Sequence, residues 1–265
     1  MPEGHTIHRL ARRHRRMLKG KVVHTSSPQG RFAEGAAQLD GRTVLGTDAW
    51  GKHLFHRFDD GWLHVHLGLF GRYRDGAGEP PEPKGALRLR MTTEDHWIDL
   101  RGPTACELLA DPERDALLAR LGPDPLRPGT PASAAAQRIG RSRSPIGTLL
   151  MNQAVVAGIG NVYRAEILFR HGLHPWTPGR EVDEATWTVL WDDLVVLMES
   201  GVRTGRIVTT EPEDRERPGG RVRRVDASYV YHRTGRPCRR CGTPVESAEL
   251  AARTVYWCPV CQPET

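Results

Sequence analysis

Two groups of residues in this chain have the types and spacing for chemistry: Pro2 with Glu3 at one end, and four cysteines near the other. Trimming of an initiator Met ahead of a small residue leaves Pro2 with a free secondary amine, which titrates near the α-amino range of about 8. A fraction of such an amine is an uncharged nucleophile at neutral pH, with no burial needed. Attack on a sugar C1′ would form an iminium, an electron sink for later elimination. Glu3 beside it is a candidate acid or proton relay. Many chains begin Met-Pro-Glu without catalytic purpose, so the rest of the sequence has to carry this reading. The cysteines are more specific. Cys238-x2-Cys241, sixteen residues, then Cys258-x2-Cys261 fits a four-thiolate zinc site on two knuckles. All four positions are thiolates, so one structural Zn2+ is expected, stabilising a small ribbon and not activating water. Cys106 stands apart and reads as a small buried residue.

Composition sets the class. A length of 265 residues allows two modest domains, and the net charge of +6 with a sequence pI near 9.3 suits a polyanionic partner; nucleic acid is the commonest one. A high-GC genome also favours Arg, so charge alone is weak. No apolar run approaches a membrane span, and the N-terminus lacks a signal peptide's apolar core. A cytoplasmic protein with no membrane partner is expected, and cysteines in that compartment suit a metal better than disulfides.

The elements that must position these residues follow from periodicity. Residues 4–19 read as an amphipathic helix, with Ile7, Leu10, Ala11, Met17 and Leu18 on one face and five arginines on the other. It would anchor Pro2. From Lys21 to Leu109 short strands dominate. His53–Phe58, an Asp59-Asp60-Gly61 turn and the alternation of Leu63, Val65 and Leu67 make a hairpin, and the whole stretch reads as a β-sandwich or barrel. His64 and His66 share a strand face; with no third ligand visible, they read as a solvent-facing or phosphate-facing pair. A helix is expected from Asp111 to Leu121, and the Pro- and Gly-rich run after it as a boundary. Beyond it the pattern turns helical, at Pro145–Val156, Asn161–His171 and Glu181–Glu199. Val156-Ala157-Gly158-Ile159-Gly160-Asn161 lacks the third Gly of a dinucleotide fingerprint. It reads instead as a tight turn opening a helix, with Asn161 either facing a phosphate or capping the helix. Residues 203–227 are expected to form a mobile loop. Arg253, five residues before Cys258 at the hairpin tip, is suited to clamp a phosphate by two parallel hydrogen bonds, or is an exposed Arg of a basic protein.

Taken in order, several motifs resemble those of the formamidopyrimidine-DNA glycosylase and endonuclease VIII family. They are Met1-Pro2-Glu3-Gly4, Gly51-Lys52-His53-Leu54, His66-Leu67-Gly68-Leu69-Phe70-Gly71, Gly122-Pro123-Asp124-Pro125-Leu126, Gly158-Ile159-Gly160-Asn161-Val162-Tyr163 and Arg253 with its four-cysteine ribbon. The Met-Pro-Glu-Gly opening and Tyr256-Trp257 resemble the endonuclease VIII branch more closely. The resemblance implies an α+β multidomain fold: an N-terminal helix and β-sandwich (1–121), a hinge linker (122–134), a helix–two-turn–helix domain (135–227) and a zinc ribbon (228–265). It implies a monomeric, nucleoid-associated enzyme acting on damaged DNA. Pro2 would be the nucleophile, Glu3 the acid, and Lys52 a cation near the damaged nucleotide. Asn161 and Arg253 would pinch the flanking phosphates, and His66 would touch the backbone nearby. Leu69 and Phe70 would fill the space left by an everted base. The chain departs from the family pattern at His5, where a Pro is usual, and at Thr6, where an acidic residue is usual. Base excision, with oxidised pyrimidines favoured, and cleavage of abasic sites are the implied activities. A catalytically silent lesion binder and a purine-selective enzyme of the same fold are the alternatives.

Overall fold

The computed structural model describes residues 2–264, so the expected removal of Met1 concerns a position outside the described residues. Helix α1 (Gly4–Leu18) forms on the expected apolar stripe, burying Ile7, Ala11, Met17 and Leu18 while Arg9, Arg12, Arg13, Arg15 and Arg16 stay exposed. His5, His8 and His14 lie on the buried face as well. Burial of an aliphatic side chain such as Ile7 stabilises by about 2 kcal/mol, and Ile7 and Leu18 are completely buried.

Behind α1 the chain builds two antiparallel sheets. One contains β1 (Val22–Ser26), β2 (Arg42–Thr43), β6 (Arg72–Ala77), β7 (Leu87–Thr92) and β8 (His96–Arg101), in the order β2-β1-β7-β8-β6. The other contains β3 (Gly46–Trp50), β4 (His53–Phe58), β5 (Gly61–His66) and β9 (Ala105–Leu109), in the order β3-β4-β5-β9. Short α2 (Ala33–Leu39) and α3 (Asp111–Ala119) complete the unit. Strand alternation sends Val23, Leu89, Met91, Ile98 and Leu100 from one sheet, and Ala49, Leu54, Phe58, Leu63 and Val65 from the other, into one core with α1. The expected sandwich is therefore present. Arg90 and Asp99 form a buried bidentate pair at 2.7 and 2.9 Å, linking β7 to β8.

The chain divides after Arg120 into a second compact unit. Residues 122–134, expected as a linker, pack into this unit. Gly122 N–H donates to the Gln153 carbonyl (2.8 Å), Ala157 N–H donates to that of Pro123 (2.9 Å), and Leu126 N–H donates to the buried Asp124 carboxylate (2.9 Å). Helix α4 (Ala132–Gly140) begins inside the same stretch. The helix expected at Pro145–Val156 is instead the single turn α5 (Ile146–Leu149) followed by turns. Side chains end it. Asn152 Oδ1 accepts from Ala154 N–H, while the Gln153 amide spans Met151, Gly158 and Ile159, competing with helix bonding. Helix α6 (Asn161–Arg170) follows, and α7 (Glu184–Thr204) is capped by Asp183, which accepts from Thr186 N–H at 2.7 Å. Gly205, at φ +74°, ends it in the left-handed conformation. These elements form the helix–two-turn–helix domain, with Trp187, Leu190, Leu194, Tyr163 and Ile167 in its core.

Residues 205–227 contain only two short 3-10 turns, at Pro212–Asp214 and Arg224–Asp226. They are tied down by bonds from Thr209 and Thr210 and by the Arg223–Asp226 pair, so the stretch 203–227, expected as a mobile loop, begins inside α7 and is bonded near both ends. The ribbon hairpin of β10 (Glu246–Leu250) and β11 (Arg253–Trp257) completes the fold. Among the described residues, no helix is long and apolar enough to cross a membrane.

Candidate nucleic-acid interface and metal centre

In the first unit, Pro2 is half-buried and Glu3 completely buried at the start of α1, where the Glu3 carbonyl accepts from Thr6 N–H at 2.9 Å. The two residues that depart from the family pattern bond to each other, with Thr6 Oγ1 and His5 Nε2 3.2 Å apart. Burial lowers the His5 imidazole to about 4, so it is neutral at physiological pH. Pairing of Trp50 with His53 leaves Gly51 and Lys52 as a two-residue hairpin loop. Gly51, at φ +56°, supplies the left-handed residue this turn needs. His53 pairs in turn with His66. The Lys52 turn and the segment following His66 therefore lie at the same end of the four-stranded sheet.

That segment is a tight loop closed by Gly71 N–H donating to the Leu67 carbonyl at 2.9 Å. It has no room for larger residues at its ends. A Cβ on Gly68 would lie 1.9 Å from Thr104 Oγ1, and one on Gly71 would lie 2.1 Å from the Leu67 carbonyl oxygen. Between them, Leu69 is 45% and Phe70 84% exposed, two apolar side chains presented to solvent on a fixed loop.

His64 departs from expectation. It is 2% exposed and faces neither solvent nor an open phosphate site. Its Nδ1 lies 2.8 Å from Glu107 Oε1, and its Nε2 lies 2.9 Å from His53 Nδ1. His66, half-buried, packs its ring 5.0 Å from that of His53. Burial lowers His64, His66 and His53, the last to about 3.

In the second unit Asn161 is the first residue of α6, with Gly160 at the cap position, so the capping alternative does not hold. The Asn161 side chain is 8% exposed, and its Nδ2 donates to the Thr254 carbonyl at 2.9 Å. Arg164, fully buried, donates to Asn161 Oδ1 and, at 3.0 Å, to the same carbonyl. The start of α6 is thus bonded to the residue next to Arg253. Arg253 itself is exposed at the head of β11, beyond a two-residue turn in which Ala251 (φ 52°) and Ala252 (φ 57°) both take the left-handed conformation.

The four cysteines converge, all sulfurs lying within 4.8 Å of one another. Cys238 and Cys261 Sγ are 3.8 Å apart, and Cys241 and Cys258 Sγ 3.4 Å; tetrahedral zinc with bonds of about 2.3 Å sets thiolates about 3.8 Å apart. Arg240 and Cys261 N–H donate to Cys238 and Cys258 sulfurs, and Gly242 makes its knuckle turn at φ +79°. These residues fit one structural Zn2+. Cys106 is half-buried against the sandwich core, and burial pushes its thiol up to about 12.

Comparison with known proteins agrees with this architecture. Residues 1–106 match the formamidopyrimidine-DNA glycosylase N-terminal domain, residues 121–212 the formamidopyrimidine-DNA glycosylase H2TH domain, and residues 235–263 the zinc finger found in FPG and IleRS. Over 267 residues the chain is 50% identical to endonuclease 8 1 of Mycobacterium tuberculosis, spanning 99% of this chain and 100% of that protein. The chain belongs to the formamidopyrimidine-DNA glycosylase and endonuclease VIII family. It is also 33% identical over 276 residues to the probable endonuclease 8 2 of Streptomyces coelicolor (99% of this chain, 94% of that protein). Identity to the formamidopyrimidine-DNA glycosylase of Geobacillus kaustophilus is 34% over 233 residues (86% and 84%). The fold matches that of Lactococcus lactis Fpg in complex with abasic-site DNA, at TM-score 0.82 and 23% identity over 99% of this chain and 100% of that one.

Within this family scaffold, sequence reasoning missed His53, Glu107, Arg164 and Glu166. A signal existed for the first: closing the hairpin at Asp59-Asp60 pairs Phe58 with Gly61 and therefore His53 with His66. Glu107 comes from β9, beyond the hairpin, and nothing local marks it. Glu166, completely buried on α6, accepts from Tyr229, Val230 and Tyr231 N–H at 2.6, 2.9 and 2.8 Å. It thereby ties the strap ahead of the ribbon to the helical domain.

Proposed function

We propose that this chain is a bifunctional DNA glycosylase and abasic-site lyase of base-excision repair, monomeric and acting on the nucleoid in the cytoplasm. Pro2 is the nucleophile, and oxidised pyrimidines are its preferred lesions. The observation that carries this reading is the seating of the N-terminus. Pro2 leads directly into a helix whose first residues are buried, so its nitrogen is held in place and does not wander as most termini do.

The chemistry follows from that nitrogen. Its lone pair attacks C1′ of the damaged nucleotide while Glu3 protonates the sugar ring oxygen, and the base departs. The resulting iminium acidifies the C2′ proton. Loss of that proton expels the 3′ phosphate, and a second elimination expels the 5′ phosphate, leaving a one-nucleotide gap. Lys52 serves as a cation beside the nucleotide and His66 touches the backbone. Asn161 and Arg253, whose neighbourhoods are bonded through the Thr254 carbonyl, grip flanking phosphates. Leu69 and Phe70 fill the stack vacated by the everted base, as apolar wedges do.

A second reading, a lesion binder that does not cut, draws on Thr6, whose hydroxyl is engaged with His5 where the family usually has a carboxylate. Borohydride reduction with abasic-site duplex separates the two. The Met-trimmed protein is expected to give a covalent adduct, and Pro2→Gly to weaken trapping while DNA binding persists. Binding without any adduct would establish the silent reader. A panel of oxidised pyrimidine and purine duplexes tests the preference, and faster purine excision would reverse it.

A further inference from the structure

The imidazoles beside Lys52 form a chain with a direction. Strand register stacks Glu107, His64 and Phe55 across three strands, with Ala105, His66 and His53 across the same strands two residues along. All of these side chains project from the face of the sheet opposite Leu63 and Val65, which enter the core. The Glu107 carboxylate, 51% exposed, lies 2.8 Å from His64 Nδ1. A carboxylate accepts hydrogen bonds, and a neutral imidazole donates from one nitrogen and accepts at the other. His64 Nδ1 therefore carries the proton and its Nε2 the lone pair. Across 2.9 Å that lone pair faces His53 Nδ1, which must carry the proton in its turn. His53 Nε2 is left as an acceptor.

We propose that Glu107 and His64 are positioning residues that fix His53 as its Nδ1–H tautomer and so present an imidazole acceptor to the Lys52 ammonium. This rests on the role given to Lys52 above. Lys52 immediately precedes His53 in the two-residue hairpin loop, and His53 pairs with His66 across the strands, so the lysine and both imidazoles share one end of the sheet. The groups whose charge acts on His53 are His64, His66, Arg120 and Lys52: two imidazoles and two cations, with no acid among them. An imidazolium there would repel Lys52. Burial among these groups keeps the ring neutral, and the tautomer decides whether it attracts or repels the ammonium. The fixing of one imidazole by a carboxylate behind it is the logic of a catalytic triad, here extended by one ring and aimed at a lysine.

The test uses the full zinc-loaded chain. Two-bond 1H–15N spectra of the free protein should show His53 and His64 as single Nδ1–H tautomers. In Glu107→Gln the amide can donate to His64 Nδ1 and reverse the chain, so Nε2–H signals should appear. Single-turnover cleavage of an abasic-site duplex should then fall about tenfold, the lower end of what supporting residues of this kind contribute. DNA affinity and zinc content should not change, and Glu107→Asp should recover most of the rate. The proposal is overturned by an Nε2–H His53 in the wild type, or by Glu107→Gln cleaving at the wild-type rate. Failure of the wild type to cleave would instead count against the functional reading, and the spectra of the free protein would still decide the tautomer.

Discussion

The sandwich and the ribbon both hold a few polar side chains at the edge of a small structure, and they do so by different means. In the sandwich, two sheets and α1 share one apolar core, and the positions of Lys52, His66 and Phe70 follow from strand register and tight turns. Buried histidines inside it are kept neutral, as with His14 and His56, whose ring nitrogens meet at 3.0 Å in the interior, while its buried charges, Arg90 and Asp99, are paired. The ribbon has little apolar surface to bury. Val255, Leu250 and Trp257 make one small cluster, and Val245, Tyr256 and two cysteines contribute to another. Its order comes from four thiolates, from Glu166 and from the Arg164–Asn161–Thr254 bonds. Where apolar area is scarce, charge and metal specify the structure, and loss of one group has a larger effect.

Chelation of zinc should separate the two regions most. Structural zinc contributes roughly 10 kcal/mol or more to such a fold. Hydrogen exchange should show residues 235–263 losing protection while strands β3–β5 keep theirs. Equal loss in both would mean that the sandwich depends on the ribbon.

Glu166→Ala should come next, leaving the buried Tyr229 and Val230 N–H groups, the half-buried Tyr231 N–H and the buried Thr209 hydroxyl without their acceptor, at about 4 kcal/mol in all. Urea unfolding of the helical unit reads this directly. A cost below about 1 kcal/mol would show that water replaces the carboxylate.

Acid should weaken the sandwich through its buried histidines. An unfolded histidine takes up a proton near 6.5, whereas burial holds His56 down to about 4 and lowers His14 well below its ordinary value. The unfolded chain therefore binds more protons throughout this window. The stability these two histidines contribute is full above about pH 6.5 and falls as pH drops; the His56 part is lost by about pH 4, and the His14 part continues to fall below that. His56 alone contributes about 3 kcal/mol to this loss. His56→Phe should flatten the slope, and an unchanged slope would mean that the pair does not set the acid sensitivity.

The smallest effect on stability is expected at Arg253, which is exposed. Arg253→Ala should change unfolding by less than about 0.5 kcal/mol. It should weaken DNA binding and reduce the salt-dependence slope by about one. An unchanged slope would contradict a phosphate contact there.

These differences also explain what the sequence made legible. Alternation along His53–Phe58 and Gly61–His66 revealed the hairpin because each strand has one face in the core. The cysteine spacing revealed the ribbon, because metal ligation imposes its own geometry. The apolar stripe of α1 was visible, yet its buried histidines were not, since their partners lie on strands far along the chain, as His56 does for His14. The helix expected across residues 145–156 failed on side-chain bonds from Asn152 and Gln153, which helical periodicity does not register. Asn161 was legible as a special residue, but its bond to Thr254 depends on a contact across 93 positions.

The proposed activity turns on attack by the Pro2 nitrogen. The most direct measurement is peptide mapping by mass spectrometry of the borohydride-reduced adduct formed with abasic-site duplex, after the N-terminus has been shown to begin at Pro2. One covalent sugar fragment per chain is expected, on the N-terminal residue. An adduct on Lys52 or another lysine, or none from protein that binds the duplex, would contradict it.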